Sequence, residues 1–456
     1  MQSPVLCRRG SYLFVGEPAL YTCAVSDRKP QVGHKRRGIA RRFANYRRSG
    51  RTSLAALIAV IGPGVLAGLS DDDPAGVTTY SILGTEFGYQ LLWAVLISTA
   101  LLILFHLLAI RLAIRSGKGF VALLRARYGH TTAKVAGAMF VLANFGTICA
   151  EFAGIGAVAQ LAGLPTAPCV LGAAGLIVGL VLAASFHSVE HVLLALSAVL
   201  ASYFVAGVLA QPDWSQAARG LVVPSMPLTT GAFIAVTATL GTTLAPWGLA
   251  FIQPYAADKG ISWRDYGPER IEVVAGSLLT GIIGIFIVVA CAATLAVAGR
   301  HIEDARDAAQ ALQPLAGDYA SLLFGIGLAG AGLLAAAIVP LATAYSLAEA
   351  FGKTGSLDDA ARTDRLFYGS FVILVGLAAT IVSLPHVPLL LLIYFSQLVN
   401  AIFLAPHLVL LVLLNRDVRI MGNRGILSAQ WSAAAWLGIV LVVSSVLALG
   451  VALLTT

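Results

Sequence analysis

The run Ser70-Asp71-Asp72-Asp73-Pro74 places three consecutive carboxylates and a proline inside an apolar stretch, about residues 54–86, that otherwise reads as a membrane-spanning helix. Ionisable groups at bilayer depth are expensive and mark functional sites by default. Proline lacks the N–H that a helix needs and turns the residue before it, Asp73, away from α-conformation, while Ala75-Gly76 offers little resistance to unwinding. Non-helical backbone at that depth persists only where protein buries it or where it lines a watery cavity. The stretch therefore predicts a broken helix lining a cation site.

Composition supports the membrane reading. Of 456 residues, 58% are hydrophobic and 11% charged, and the mean hydropathy of +0.85 lies far from the soluble average. The net charge of +8 does not indicate nucleic acid, because the basic residues fall in an N-terminal tail and in short loops between apolar runs. Five cysteines form no C-x-x-C pair, which argues against a disulfide framework or a zinc ribbon.

At about 20 residues per span, eleven apolar segments emerge after a basic tail at 1–52: 54–86, 89–113, 133–162, 166–185, 190–211, 229–255, 270–298, 319–348, 366–384, 387–414 and 430–454. With the tail in the cytoplasm, every Lys and Arg except Arg219, Arg300 and Arg306 falls on the inner side. That asymmetry orients the chain with its N-terminus inside and its C-terminus outside.

The sixth segment carries a second interruption, Gly241-Thr242-Thr243-Leu244-Ala245-Pro246-Trp247. Two breaks five helices apart predict two repeats, about 54–211 and 229–414, each opening with a discontinuous helix, and an extra helix at about 430–454. An odd number of spans per repeat inverts the second relative to the first. Residues 53–456 then form one transmembrane transporter domain.

Gly62-Pro63-Gly64, Asp73-Pro74, Phe87-Gly88-Tyr89 and Leu91-Leu92-Trp93 resemble the first two helices of the Nramp (natural resistance-associated macrophage protein) divalent-metal transporters. Gly241 to Pro246 is similar to that family's sixth helix, and Ser396-Gln397 to its tenth. The resemblance implies an all-α polytopic membrane protein of LeuT-type fold, with inverted five-helix repeats and broken helices 1 and 6. Where the family reads Asp-Pro-Gly-Asn, this chain has Asp73-Pro74-Ala75-Gly76; where the family has Met before the second proline and His after it, this chain has Ala245 and Trp247. Of two acids that the family keeps in its third helix, this chain has Ile148 and Glu151. The pattern resembles the Nramp-related magnesium transporter branch.

Ligand chemistry points the same way, since a thioether favours soft metals while carboxylate, carbonyl and water suit Mg²⁺ and Mn²⁺. Mg²⁺ dehydrates reluctantly and keeps several waters. Asp73 is the expected central carboxylate. Asp71 and Asp72 are either supporting acceptors or N-caps of the half-helix that follows. Gly76 stands at the family's amide position. Backbone carbonyls of Gly241, Thr242 and Ala245, with the Thr242 and Thr243 hydroxyls, are either ligands or the small residues of a close helix contact. Glu151 either lines the aqueous path or hydrogen-bonds as a neutral acid, and Gln397 and Asn400 are either pathway residues or interhelical glue.

His187-Ser188-Val189-Glu190-His191 fits an H-x-x-E-H protease pattern but lacks a third ligand, so the chain is not expected to be an enzyme. The expected activity is import of largely hydrated Mg²⁺, with Mn²⁺ beside it, across the inner (plasma) membrane without proton coupling. Partners are the cation and the bilayer, with no cofactor, no nucleic acid, and monomer or homodimer left open. The alternatives are a proton-coupled Mn²⁺/Fe²⁺ importer and, more remotely, an organic-solute symporter of the same architecture.

Overall fold

The computed structural model describes residues 72–183, 202–258, 266–303, 305–353, 364–423 and 425–455, with 199 and 263 as isolated positions. The basic tail, the first span up to and including Asp71, the H-x-x-E-H segment and the first half of the fifth span apart from residue 199 lie outside the described residues.

Every described element is helical. In chain order the main ones are α1 (Pro74–Phe87), α2 (Leu92–Ser116), α3 (Phe120–Tyr128), α4 (His130–Leu161), α5 (Thr166–Leu182), α6 (Ser202–Leu209), α7 (Thr230–Thr243), α8 (Pro246–Asp258), α9 (Tyr266–Cys291), α10 (Ala320–Ala350), α11 (Arg365–Val382), α12 (Leu389–Asn415) and α13 (Ala429–Thr455). Among the described residues, eight helical stretches are long and apolar enough to cross a membrane, and they coincide with the second, third and sixth to eleventh expected spans. The fourth is the shorter apolar helix Thr166–Leu182. One feature goes beyond the expectation: the seventh span ends in a π-helical turn, Ala292–Ala296.

Glycine decides where these helices meet. Positive φ at Gly117 and Gly129 ends α2 and opens α4, leaving α3 as a short helix between two sharp turns. Gly84 of α1 lies directly against the Val288 carbonyl of α9, and a Cβ on Gly284 would stand 2.9 Å from the Tyr80 ring. Missing side chains let the two backbones approach, which is how helices gain van der Waals contact where lipid supplies no hydrophobic drive.

Helix α4 packs most extensively on α10 and α12, and α9 on α1 and α2. Burial separates centre from periphery. In the Thr230–Pro254 stretch 89% of the most apolar window is buried, against 28% in Ala429–Thr455. The broken sixth span thus runs through the middle, and the last helix has an outer face suited to lipid.

Candidate cation site

The start of α1 is built around Pro74, which occupies its first turn and so makes Asp73 the N-cap. Asp73 is extended (φ −80°, ψ 175°), and its Oδ1 accepts the Gly76 N–H at 2.7 Å. This corrects the sequence reading, which gave the capping alternative to Asp71 and Asp72: proline fixes the register one residue later. Gly76 acts here as the donor of that cap bond. Asp72 and Asp73 are both buried, at 2% and 4% exposure, and Asp71 lies outside the described residues.

Helix α4 supplies the second carboxyl. Gly154 leaves no room for a Cβ against the Pro74 ring, and a Cβ on Gly332 of α10 would stand 3.2 Å from Pro74 and 3.6 Å from the Glu151 carbonyl. Two glycines on two helices therefore seat the start of α1 one turn from Glu151. The Glu151 carboxyl is fully buried, faces that of Asp73, and has no formed hydrogen bond on either oxygen. Among the described residues no Lys or Arg pairs with Asp73 or Glu151. Two facing carboxyls without a counter-charge form an arrangement that a cation stabilises.

At the second break α7 ends at Thr243, Leu244 leaves the helix (φ −103°, ψ 32°), and Pro246 opens α8. The carbonyl end of α7 carries the negative pole of its helix dipole. Thr243 is already engaged: its hydroxyl reaches the Thr239 carbonyl at 2.8 Å and the Tyr80 hydroxyl at 2.8 Å, tying α7 to α1. Gly241 sits directly against the Gln397 carbonyl of α12, so the structure realises the close-packing role left open for it. The Ala245 carbonyl accepts the Gly248 N–H at 3.1 Å. Thr242, Ala245 and Trp247 are buried.

On the helix that carries Glu151, two separate hydrogen-bonded groups form, one through Asn144 and one through Thr147. Asn144 Nδ2 donates to Thr343 Oγ1 at 2.9 Å, Asn400 Nδ2 to Thr147 Oγ1 and to Gln397 Oε1 at 2.9 Å each, and Gln397 Nε2 to Ser396 Oγ at 2.6 Å. All are buried. Asn144, Thr147 and Thr343 went unremarked. Their signal was present in α4, where Asn144, Thr147, Glu151 and Gly154 recur at the spacing of one helical face.

The structure thus brings Asp73 together with Glu151, and joins Gly241 to Gln397 and Gln397 to Asn400. Among the described residues no cluster of three or more His, Cys, Asp or Glu is assembled. Any ion held here would meet few charged side chains and many carbonyls, amides and hydroxyls.

Comparison with solved structures places this architecture among transporters. A manganese transporter of Eremococcus coleocola, in complex with an aromatic bis-isothiourea substituted compound, aligns with a TM-score of 0.71 and 20% identity over 88% of this chain and 87% of that one. MhsT in complex with L-phenylalanine aligns at 0.57 and 15% identity, covering 86% and 97%. Mhp1, a nucleobase-cation-symport-1 family transporter in a closed conformation, aligns at 0.51 and 15%, covering 86% and 91%. These likenesses concern the fold. The family profile for natural resistance-associated macrophage protein-like sequences matches residues 64–454, and the chain belongs to that family, Nramp, of membrane metal-ion transporters.

Proposed function

We propose that this chain imports Mg²⁺, and Mn²⁺ with it, as largely hydrated ions driven by their electrochemical gradient rather than by protons. One observation carries the reading: the residues flanking Pro246, Ala245 and Trp247, are both apolar and buried, while the residue before Pro74 is the buried acid Asp73. With no thioether at Ala245 and no amide at Gly76, ligands are few, and an ion that keeps its water has acceptors in Asp73, Glu151, Gln397 and Asn400. Asp71, Thr242, and the carbonyls of Gly241 and Ala245 complete the proposed path, with Asp72 and Thr243 supporting it.

The proposal includes eleven spans in two inverted repeats with an extra last helix, a cytoplasmic N-terminal tail, an extracytoplasmic C-terminus in the plasma membrane, and kinship with the magnesium-carrying branch of the family. An inside-negative potential contributes about 2.3 kcal/mol per charge per 100 mV, roughly double for a divalent ion, which suffices for uptake.

A second reading, proton-coupled Mn²⁺ or Fe²⁺ import, draws on the Glu151 carboxyl facing Asp73. Proteoliposomes carrying an internal pH dye, energised by a potassium diffusion potential, separate the two. Mg²⁺ entry without internal acidification is the expected result. Acidification in step with Mn²⁺ entry, with Mg²⁺ excluded, would replace the first reading by the second.

A further inference from the structure

Helix α3 joins the second and third spans, and its N-cap, Gly119, has no side chain with which to satisfy the free N–H groups of the first turn. Glu349, near the end of α10 and 227 residues away in sequence from its partner Ala122, supplies the acceptor: Oε2 takes the Ala122 N–H at 3.1 Å. The missing Cβ at Gly119 lets the Glu349 carboxyl close on the helix start, and a methyl there would push that carboxyl away.

The exchange runs in both directions. Helix α10 has no basic residue in its last turn, yet the Arg125 guanidinium of α3 lies directly against Gly352, just past its end, at a residue with φ +76°. Each helix thus places a charge of the favourable sign at the end of the other. Arg125 Nε also donates to His130 Nδ1 at 3.0 Å, Lys134 stands 5.8 Å over the Phe351 ring, and Arg127 pairs with Asp417 beyond α12. A nine-residue helix is clasped by α10, α4 and the segment following α12.

The half-helix after the second break, α8, packs on α2 and on both α10 and α3. Its Gln253 is fully buried, and neither the amide oxygen nor the amide nitrogen has a hydrogen-bond partner. A buried amide without partners is disfavoured and gains its bonds when water reaches it. One face of the second break is therefore held dry against its own preference.

We propose that the reciprocal Glu349–Arg125 clasp between α3 and α10 is the latch of an inner gate, that Gln253 of α8 lies behind it, and that its release wets Gln253 and opens the exit for the ion. The latch rests on the transport reading for its purpose and on the contacts above for its existence. Parting of the Glu349 and Arg125 contacts would leave both helix ends to be solvated.

Cysteine accessibility tests it on the full-length chain. In a background with the native cysteines replaced, Gln253→Cys reports hydration through its rate of alkylation by a membrane-impermeant maleimide applied to the face bearing α3. Glu349→Gln, which preserves shape and removes charge, and Arg125→Gln are each expected to raise that rate about tenfold, the factor set by loss of one charge-assisted hydrogen bond. Gly119→Ala acts in the same direction. Unchanged labelling in both glutamine variants, with the protein monodisperse and Mg²⁺ uptake intact, would overturn the latch and leave the transport reading standing. Faster labelling in a protein that carries no Mg²⁺ or Mn²⁺ would support the latch and overturn the transport reading.

Discussion

The starts of α1 and α8 are alike in backbone and opposite in chemistry. Each helix opens on a proline, Pro74 or Pro246, and each start lies deep among other helices. At the first, the residue before the proline is an acid whose side chain caps the helix. At the second it is Ala245, with Trp247 after the proline, the bonded Thr243 hydroxyl before it, and the buried His106 imidazole of α2 against Gly248. The difference teaches that backbone interruption and ligand supply are separable. Proline and glycine open both gaps, but the charge of the site comes from α1 and α4.

The comparison breaks hardest at Asp73. Asp73→Ala should lower Mg²⁺ uptake in proteoliposomes by at least about 100-fold, the scale of losing a buried charge from a binding site. It should also cost about 1 kcal/mol of stability for the lost cap. Asp73→Asn keeps an oxygen for the Gly76 N–H and should lose transport equally while melting near wild type. If Asn transports and Ala does not, the carboxylate serves the helix rather than the ion.

The second break is sharpened by giving it what it lacks. Ala245→Met places a thioether opposite Asp73 and should shift the ratio of Cd²⁺ to Mg²⁺ uptake, measured in competition, by roughly tenfold toward the soft ion. An unchanged ratio would mean that position 245 does not face the path.

Next comes the contact that joins the second break to α12. Gly241→Ala drives a methyl into the Gln397 carbonyl and should lower thermal stability in detergent by about 1–3 kcal/mol. Thr147→Val leaves Asn400 short of one partner within the buried chain and should cost about 1–3 kcal/mol. Thr147→Ser should restore it.

Much of this was legible in the sequence. Pro74 announced the start of α1 and Pro246 the break between α7 and α8 because proline acts locally, and apolar runs located the described spans because lipid enforces their length. The cap was placed one residue early because three adjacent Asp residues offer equivalent caps until the proline register is applied strictly. Gly241 was ambiguous for a different reason: a glycine that exposes its carbonyl and one that admits a neighbouring helix look identical until the neighbour, Gln397, is in place. The Glu349–Ala122 bond joins residues too distant for any local pattern to show.

The smallest effect concerns the C-terminal end of α1. Glu86 meets His301 at 2.7 Å on an exposed surface and holds that imidazole above its ordinary range. The ion pair is complete below the usual imidazole value and fades as pH rises through the raised one. Nuclear magnetic resonance titration should find His301 deprotonating at lower pH in Glu86→Gln than in wild type, with uptake altered little.

The central claim is that Asp73, opposite an apolar second break, holds a divalent cation that keeps its water. Hexaamminecobalt(III) tests this most directly, since it offers six hydrogen-bond-donating ligands in the octahedral arrangement of hydrated Mg²⁺ and does not exchange them. In proteoliposomes it should compete with Mg²⁺ for uptake through the wild-type protein. Failure to inhibit at any concentration, while Mn²⁺ and Cd²⁺ block Mg²⁺ entry, would show that the ion sheds its water to bind and would contradict the account.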